Sequence, residues 1–294
     1  MTVGHNQNSR SLLEWGKFRL KESGIDDFVI SAESLLAHVL NRSRSELFLN
    51  IENPINLQTI LRYENFIEQR AKRVPLQYLI GYVEFYNVRI KCDRRALIPR
   101  PETEVLVEMI IERLNTIQAP RILDIGTGSG NIAVALAKNI PESVITGIDI
   151  NRDALDLASE NAVLNQVDNR ISLQMVDILD RNSALDLDHF DCVVSNPPYV
   201  SDAEIGNLQL EVKDFEPHIA LFSGSDPLLF YKTIIEISPR ILKSGGLLAF
   251  EVGQGQYESV MAEMSPLFSE IYSIKDLAGI ERIVSGIFAD TDEK

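Results

Sequence analysis

The chain has 294 residues, of which 45% are hydrophobic, so it can bury the core of one large domain with a smaller companion. Its net charge of −15 is uneven: residues 1–98 carry 14 basic and 11 acidic side chains, and residues 99–294 carry 14 basic and 32 acidic ones. The acidic C-terminal part argues against a nucleic-acid duplex as a direct partner and favours a basic protein, although solubility alone could explain the charge.

The cysteine pattern indicates a reducing compartment, and the absence of long apolar runs argues against a membrane span. Cys92 and Cys192 lie far apart without CxxC spacing, which argues against a disulfide framework and against a zinc site, and no other metal cluster is expected. The polar start resembles no signal peptide, and no run of about 18 apolar residues occurs. We therefore expect a cytoplasmic protein without a membrane segment, and expect it to be a monomer.

Residues 1–74 are predicted to form a small helical domain. Ser11 with Glu14, and Ser43 with Glu46, fit the capping-box pattern of helix starts. Two apolar stripes have helical spacing: Ala32, Leu35, Leu36, Val39 and Leu40, followed by Leu57, Ile60, Leu61, Ile67 and Ala71. This part offers no catalytic cluster, so we expect it to recognise the substrate. Residues 75–98 are rich in aromatic and β-branched residues, which predicts a β-hairpin linker.

Residues 99–294 alternate between strands and helices, which predicts an α/β fold. A parallel, Rossmann-like sheet with helices on both faces follows from this alternation. The last two strands, without a helix between them, indicate that the final strand is antiparallel. The seven predicted strands are Arg121–Ile125, Val144–Ile150, Ile171–Val176, Phe190–Ser195, Gly246–Val252, Ile271–Leu277 and Ile283–Ala289.

A glycine-rich turn follows the first strand of this sheet. In the run Asp124 to Gly130, glycines occupy positions 126, 128 and 130, where a tight turn or a close ligand needs a backbone without Cβ. The spacing is not that of the dinucleotide fingerprint, and no P-loop lysine is present. Asp149 ends the second strand, where its carboxylate can accept both hydroxyls of a ribose. Asp124 either orders the turn or reaches a ligand ammonium group through water.

This turn resembles that of class I S-adenosylmethionine-dependent methyltransferases. The resemblance implies that the cofactor S-adenosylmethionine binds here and leaves as S-adenosylhomocysteine. It assigns Asp149 to the ribose, and Asp177 and Ile178 to the border of adenine. The turn residues assigned to the methionine part are Gly126, Thr127, Gly128, Ser129 and Gly130.

The tetrapeptide Asn196-Pro197-Pro198-Tyr199 directly follows the strand Phe190–Ser195. The two prolines end the strand and fix φ, while their carbonyls stay free to accept hydrogen bonds. With the Asn196 side-chain oxygen they can hold both hydrogens of an –NH2 group, so that its lone pair faces a methyl donor. Tyr199 would stack on the planar acceptor or shield the methyl path. A rigid turn without chemistry is the alternative interpretation.

The upstream segments resemble the PrmC/HemK family of peptide chain release factor glutamine methyltransferases. The resemblance rests on Pro75–Gly81, Glu84-Phe85, Leu97–Glu104, and Phe215-Glu216-Pro217 with Ala220-Leu221 and Gly224. It implies a seven-stranded methyltransferase domain over residues 99–294. It also implies methylation of N5 of the glutamine in the Gly-Gly-Gln motif of class 1 release factors, which modulates translation termination.

Carried over residue by residue, the resemblance implies that Asn196 serves both the substrate and the cofactor. Pro197, Pro198 and Tyr199 then contact the substrate amide, and Asn196, Pro197 and Tyr199 act in catalysis. Arg100 and Glu102 would contact the substrate in the pocket wall, although they also fit an ordinary helix start. Glu251 either reaches the cleft or is solvated at the end of its strand.

Two other functions fit parts of the same pattern. Asn-Pro-Pro-Tyr also serves amino-methyltransferases of DNA or RNA, which use a basic channel or a target-recognition domain. A cofactor-binding regulator without turnover is the non-enzymatic alternative, and an intact Asn196 argues against it.

Overall fold

The computed structural model describes residues 8–180 and 189–289 and divides the chain into two compact units. The N-terminal unit comprises Met1–Gly81 and Gln209–Phe215, and the sheet unit comprises Tyr82–Leu208 and Glu216–Lys294. The helices are α1 Ser9–Glu22, α2 Phe28–Val39, α3 Arg44–Leu49, α4 Leu57–Ala71, α5 Leu76–Ile80, α6 Glu102–Leu114, α7 Asn131–Asn139, α8 Arg152–Leu164, α9 Leu210–Phe215, α10 Leu229–Ile241 and α11 Tyr257–Met264. The strands are β1 Tyr82–Phe85, β2 Val88–Lys91, β3 Arg121–Ile125, β4 Val144–Asp149, β5 Ile171–Met175, β6 Phe190–Ser195, β7 Val200–Ser201, β8 Phe222–Gly224, β9 Leu242–Glu251, β10 Phe268–Lys275 and β11 Glu281–Phe288.

Of the two capping boxes predicted in the N-terminal unit, the structure contains one. At α3 the Ser43 hydroxyl accepts the Glu46 N–H, and the Glu46 carboxylate accepts the Ser43 N–H, which confirms the predicted capping box. The box predicted at Ser11 is wrong. Helix α1 begins earlier because the Asn8 side chain accepts the Ser11 N–H and caps it.

The N-terminal unit packs α1, α2 and α4 around fully buried side chains such as Leu12, Leu36 and Tyr63. The face that α4 buries differs from the predicted stripe: Leu57 and Leu61 are 58% and 56% exposed. Ile60 and Ile67 of the predicted stripe are buried, and Tyr63 and Arg70 complete the buried face at the 3.6-residue period.

A buried arginine connects the two chain segments of the N-terminal unit. Arg70 is 5% exposed and pairs with Asp27 at 2.8 Å and with Glu211 on α9 at 3.1 Å. Arg73 pairs with the same Glu211 carboxylate at 3.2 Å. Burying a charge is costly unless it is paired, so these contacts fix α9 against the end of α4.

The sheet unit contains a seven-stranded sheet in the order β10-β11-β9-β6-β3-β4-β5. Strands β9, β6, β3, β4 and β5 are parallel, and β11 runs antiparallel to both of its neighbours. The predicted α/β class and the antiparallel final strand are thereby confirmed.

Apolar cores lie on both faces of this sheet, which is why its central strands are apolar throughout. Along β9, Leu247 and Ala249 face one core, and Leu248 and Phe250 face the other. Helices α6 and α7 cover the first core, and α10 and α11 cover the second.

The predicted hairpin comprises β1 and β2, which pair antiparallel from Tyr82↔Lys91 to Phe85↔Val88. The preceding residues Leu76–Ile80 form a helix in the N-terminal unit instead of a strand. Within residues 8–180 and 189–289, no helix combines the length and apolarity needed to cross a bilayer.

Candidate active site

The glycine-rich turn and the Asn-Pro-Pro-Tyr corner start at neighbouring strand ends. Strands β3 and β6 are parallel, with Ile125 opposite Ser195, so Gly126 and Asn196 leave the sheet side by side. The Ser195 hydroxyl donates to the Ile125 carbonyl over 2.8 Å, which ties the two ends together. The strand order reverses between β3 and β6, and open α/β sheets bind ligands at such a point.

The glycines give the turn a shape that other residues would not adopt. Gly126, Gly128 and Gly130 have φ values of +69°, +55° and +76°, where a side chain is strained. A Cβ on Gly130 would lie 3.0 Å from the Cβ and 3.2 Å from the Cα of Ala158, so α7 and α8 approach closely only because this residue is glycine. A Cβ on Gly126 would meet no atom within 4 Å, since the turn faces open space there.

Asp149 shapes the turn with both carboxylate oxygens. Its Oδ2 accepts the Gly128 N–H over 2.9 Å, and its Oδ1 accepts the Asn151 N–H over 2.8 Å. Each oxygen keeps a further lone pair for a ligand hydroxyl. Burial raises the pKa of Asp149 above its ordinary value, and the backbone N–H groups act in the opposite direction.

A cleft of about 250 Å³ opens over these strand ends, within the sheet unit. We call it the strand-end cleft. Its lining includes the predicted residues Gly126, Thr127, Gly128, Ser129, Asp149, Asp177, Ile178, Asn196, Pro197, Pro198 and Arg100. An open glycine backbone, an aspartate at the ribose position and the apolar Ile150 and Ile178 together fit an adenine nucleoside. The residues present therefore suit S-adenosylmethionine.

Asp124 lies beneath the turn and does not line the strand-end cleft. The Thr127 hydroxyl donates to Asp124 Oδ2 over 2.7 Å, while Oδ1 has no hydrogen-bond partner in the described part of the chain. Complete burial raises the pKa of Asp124 to about 7, and the Thr127 hydrogen bond opposes this shift. The contact with Thr127 supports the interpretation that Asp124 orders the turn.

The pKa of Asp124 predicts a pH-dependent cost of folding. Because the folded state binds this proton more tightly than the unfolded state, Asp124 favours folding below pH 4 and loses that contribution as pH rises through about 7. Asp124→Asn keeps an acceptor for Thr127 and cannot ionise. Between pH 4 and 8, its free energy of unfolding should rise relative to wild type by more than about 1.4 kcal/mol, which corresponds to one pKa unit. Urea unfolding across this range measures it; a pH-independent difference would contradict the assignment.

The Asn196 side chain is held by a chain of hydrogen bonds. Its Nδ2 donates to the Thr103 hydroxyl over 3.3 Å, and Thr103 donates to Oε2 of Glu251 over 2.5 Å. Glu251 is only 2% exposed, so solvation at the strand end, one of its two expected roles, is wrong. Pro197 is buried and Pro198 half-buried, as a rigid corner requires.

The structure places the other predicted residues in different surroundings. Arg100 lines the cleft and pairs at 2.6 Å with Glu216, whose other oxygen accepts the Ile98 N–H over 3.0 Å. Glu102 lies in the first turn of α6 and is absent from the cleft lining, which agrees with a helix-start role.

Tyr199 is half-buried against the α10 and α11 core and is also absent from the cleft lining. Its carbonyl accepts the Gln256 side-chain N–H over 3.1 Å, and its ring lies next to Gly253. Burial raises the pKa of Tyr199 to about 12, so its hydroxyl is neutral at pH 7. Stacking of Tyr199 on an acceptor stays a prediction.

Two polar residues of the site, Thr103 and Glu216, had no role of their own assigned from the sequence, and for Glu251 the contact with Thr103 was not expected. Thr103 and Glu216 belong to segments that carried the family resemblance, which offered a signal. Glu251 ends β9, and β9 is the parallel neighbour of β6, with Ser195 opposite Phe250. Only the strand order brings Glu251 to the Asn196 corner.

Comparisons with known proteins match both parts of the chain. The PrmC N-terminal domain family matches residues 11–81, and the Methyltransferase small domain family matches residues 102–211. The hMettl16 catalytic domain shares the fold, with a TM-score of 0.56 at 18% identity over 70% of this chain and 77% of that one.

Curated relatives cover nearly the whole chain. A release factor glutamine methyltransferase of Thermodesulfovibrio yellowstonii is 44% identical over 86% of this chain and 90% of its own length. That of Geobacter sulfurreducens is 37% identical over 94% and 95%, respectively. Identity at this level over both units shows common descent, and the chain belongs to the release factor glutamine methyltransferase family.

Proposed function

We propose that this protein transfers a methyl group from S-adenosylmethionine to N5 of the glutamine in the Gly-Gly-Gln motif of class 1 peptide chain release factors. The observation that carries the proposal is the position of Asn196. It leaves the sheet beside the glycine-rich turn, and its amide nitrogen donates to Thr103, which leaves its Oδ1, without a hydrogen bond from residues 8–180 and 189–289, to face a substrate. Family membership supports the same reaction.

The first task of the corner is to hold a poorly nucleophilic nitrogen. An amide lone pair is delocalised into its carbonyl, so the nitrogen attacks weakly. Asn196 Oδ1 and the Pro197 carbonyl accept its two hydrogens, favour a pyramidal nitrogen and direct the lone pair along the cleft. These two acceptors also stabilise the positive charge that develops on nitrogen.

Bound S-adenosylmethionine supplies a methyl group on a positively charged sulfur, which is the electrophile of the reaction. Transfer to the nitrogen held by Asn196 and Pro197 would form an N–C bond and break the S–C bond, with S-adenosylhomocysteine as the leaving group and one proton released to solvent. The residues proposed to hold the cofactor are Gly126, Thr127, Gly128, Ser129 and Gly130 at the methionine part, Asp149 at the ribose, Asp177 and Ile178 at adenine, and Asn196 near the methyl group.

Arg100 is proposed to line the substrate side of the pocket. Its pairing with the buried Glu216 holds it and the Ile98 backbone at the cleft wall. Pro198 is proposed to contact the substrate from the same corner as Pro197, and both line the cleft. Tyr199 and Glu102 are also proposed to contact the substrate, although neither lines the cleft.

A transfer assay tests this function. Tritium from S-adenosylmethionine should label a class 1 release factor, and a release factor with the Gly-Gly-Gln glutamine replaced by alanine should stay unlabelled. Duplex DNA and tRNA serve as parallel acceptors for the alternative, a nucleic-acid amino-methyltransferase. Label in nucleic acid, or label in the alanine variant, would contradict the proposal. The acidic charge of residues 99–294 favours the protein substrate.

We also propose that the N-terminal helical domain, residues 1–74, binds the body of the release factor. The enzyme is further proposed to work as a monomer in the cytoplasm and to bind no nucleic acid directly. Support for the first part comes from large apolar side chains exposed on this domain. Phe18, Leu49, Leu57 and Leu61 are 64%, 83%, 58% and 56% exposed, so their apolar side chains are accessible to a protein partner.

Single serine substitutions at these four positions test the docking role. At least one of them should raise KM for the release factor about tenfold, since burying one such side chain contributes about 1.5–3 kcal/mol. Kd for S-adenosylmethionine should not change. Val163→Ser, at a site 59% exposed on α8, is the matched control. Unchanged KM in all four variants would contradict a role of this surface.

A further inference from the structure

Glu251 is a buried acid whose hydrogen-bond donor is neutral. It ends β9 with 2% exposure, and its carboxylate accepts a hydrogen bond from the Thr103 hydroxyl. By contrast, the equally buried Glu216 is paired with Arg100. A buried carboxylate is expensive compared with an apolar residue, so one held by a neutral donor next to a catalytic corner calls for a functional reason.

That reason follows from the direction of the hydrogen bonds. An ionised carboxylate only accepts, so Thr103 must donate to Glu251, and the Thr103 oxygen then accepts from Asn196. The Asn196 amide must therefore turn its NH2 toward Thr103 and its Oδ1 the other way. A flipped amide has nearly the same shape but would present NH2 to the substrate NH2, and two donors cannot bond.

We infer that Glu251, acting through Thr103, is a positioning residue that fixes the Asn196 amide with its oxygen toward the substrate amide. This inference rests on the proposed function of Asn196 as the acceptor. Glu251 does not touch the substrate itself. It removes the flipped orientation, in which the corner has the right shape but the wrong polarity.

The charge state of Glu251 decides whether the hydrogen bonds from Asn196 through Thr103 to Glu251 can run in only one donor-to-acceptor direction. A protonated Glu251 can donate to Thr103, Thr103 can then donate to Asn196, and the flipped amide becomes equally satisfied. Burial raises the pKa of Glu251 to about 7, nearby Glu102 raises it further, and Thr103 and Arg282 lower it. The Tyr231 hydroxyl donates to the Glu251 main-chain carbonyl, and Tyr199, with a raised pKa, is neutral. The functional, ionised form therefore accumulates as pH rises through neutrality.

Three variants of the full-length enzyme test the inference: Glu251→Gln, Thr103→Val and Thr103→Ser. The wild-type kcat for release factor should rise about twofold with pH, with its midpoint near pH 7, and level off above pH about 8. Glu251→Gln and Thr103→Val should lower the plateau kcat about twofold and flatten this pH dependence, because two equally satisfied amide orientations leave only about half of the enzyme with the Asn196 oxygen toward the substrate. Thr103→Ser keeps the hydroxyl and should match the wild-type plateau.

Two readouts besides activity separate positioning from misfolding. Calorimetric Kd for S-adenosylhomocysteine should stay within about threefold of wild type in all three variants. Carbon-13 NMR of glutamate carboxyls should show one group titrating near neutral pH that is missing in Glu251→Gln.

Each other outcome has a defined meaning. The inference would be overturned if Glu251→Gln had the wild-type kcat and the same fall in kcat at low pH. Loss of S-adenosylhomocysteine binding in both Glu251→Gln and Thr103→Val would overturn it as well. If the wild-type enzyme methylates no glutamine, the proposed function itself fails. If the wild-type enzyme is active and the variants match it, only the inference about Glu251 fails.

Discussion

Replacing Asn196 by alanine is expected to lower kcat for methyl transfer to a release factor by about 10²–10³, the usual effect of removing one positioned hydrogen-bond group. Alanine leaves the prolines in place, so the corner keeps its shape, but only the Pro197 carbonyl remains to hold the substrate –NH2. The substrate nitrogen then keeps its planar geometry, and its lone pair stays delocalised in the amide π system. Single-turnover transfer of tritium measures the chemical step directly.

The control for this variant is Asn207→Ala, at an exposed asparagine in the same stretch of the chain. It should retain wild-type kcat. Calorimetry should show that Asn196→Ala loses far less affinity for S-adenosylmethionine than it loses in rate, because the cofactor is held mainly by the glycine turn and Asp149. Full transfer by Asn196→Ala would contradict the mechanism.

The sheet and the position of its ligand site followed from patterns within single segments. Apolar runs such as Phe190–Ser195 can only be buried on both faces, which demands a parallel sheet with helices on each side. Gly126 and Asn196 each come directly after such a run. Because parallel strands end at one edge, both residues had to lie at that edge, and the strand order then made them neighbours.

Features that depend on which residue, distant in sequence, packs against a given side chain did not follow from the sequence. Leu57 and Leu61 fit a helical stripe as well as Ile60 and Ile67 do, and only the packing of α4 against α1 and α2 decides which face is buried. The environment of Glu251 depends on β9 lying beside β6 and on α6 bringing in Thr103, a contact spanning 148 residues of sequence.

Tyr199 illustrates the same limit within the motif itself. The tetrapeptide indicated the chemistry of Asn196 and Pro197, because acceptor atoms and fixed φ are properties of those residues. The direction of the Tyr199 ring depends on Gly253 and Gln256, which follow β9. A Cβ on Gly253 would lie 3.0 Å from Tyr199 Cδ2, so the ring sits where glycine leaves room.

Replacing Asp149 by alanine should raise Kd for S-adenosylmethionine at least about 100-fold, because two different contributions are lost together. Hydrogen bonds to a charged group contribute about 1.5–3 kcal/mol each, and the carboxylate is expected to accept both ribose hydroxyls. It also accepts the Gly128 and Asn151 N–H groups, so the alanine variant leaves the glycine turn without its anchor. Isothermal titration calorimetry measures the change.

Asp149→Asn separates the two contributions. Its amide oxygen can still accept the Gly128 N–H and keep the turn in place, but its NH2 cannot accept a ribose hydroxyl or the Asn151 N–H. We therefore expect a Kd between those of wild type and Asp149→Ala. Asp156→Ala, which breaks only an exposed pair with Arg152, should bind as wild type does. If Asp149→Asn bound as weakly as Asp149→Ala, the ribose contacts alone would account for the loss, and the anchoring of the turn would contribute nothing measurable.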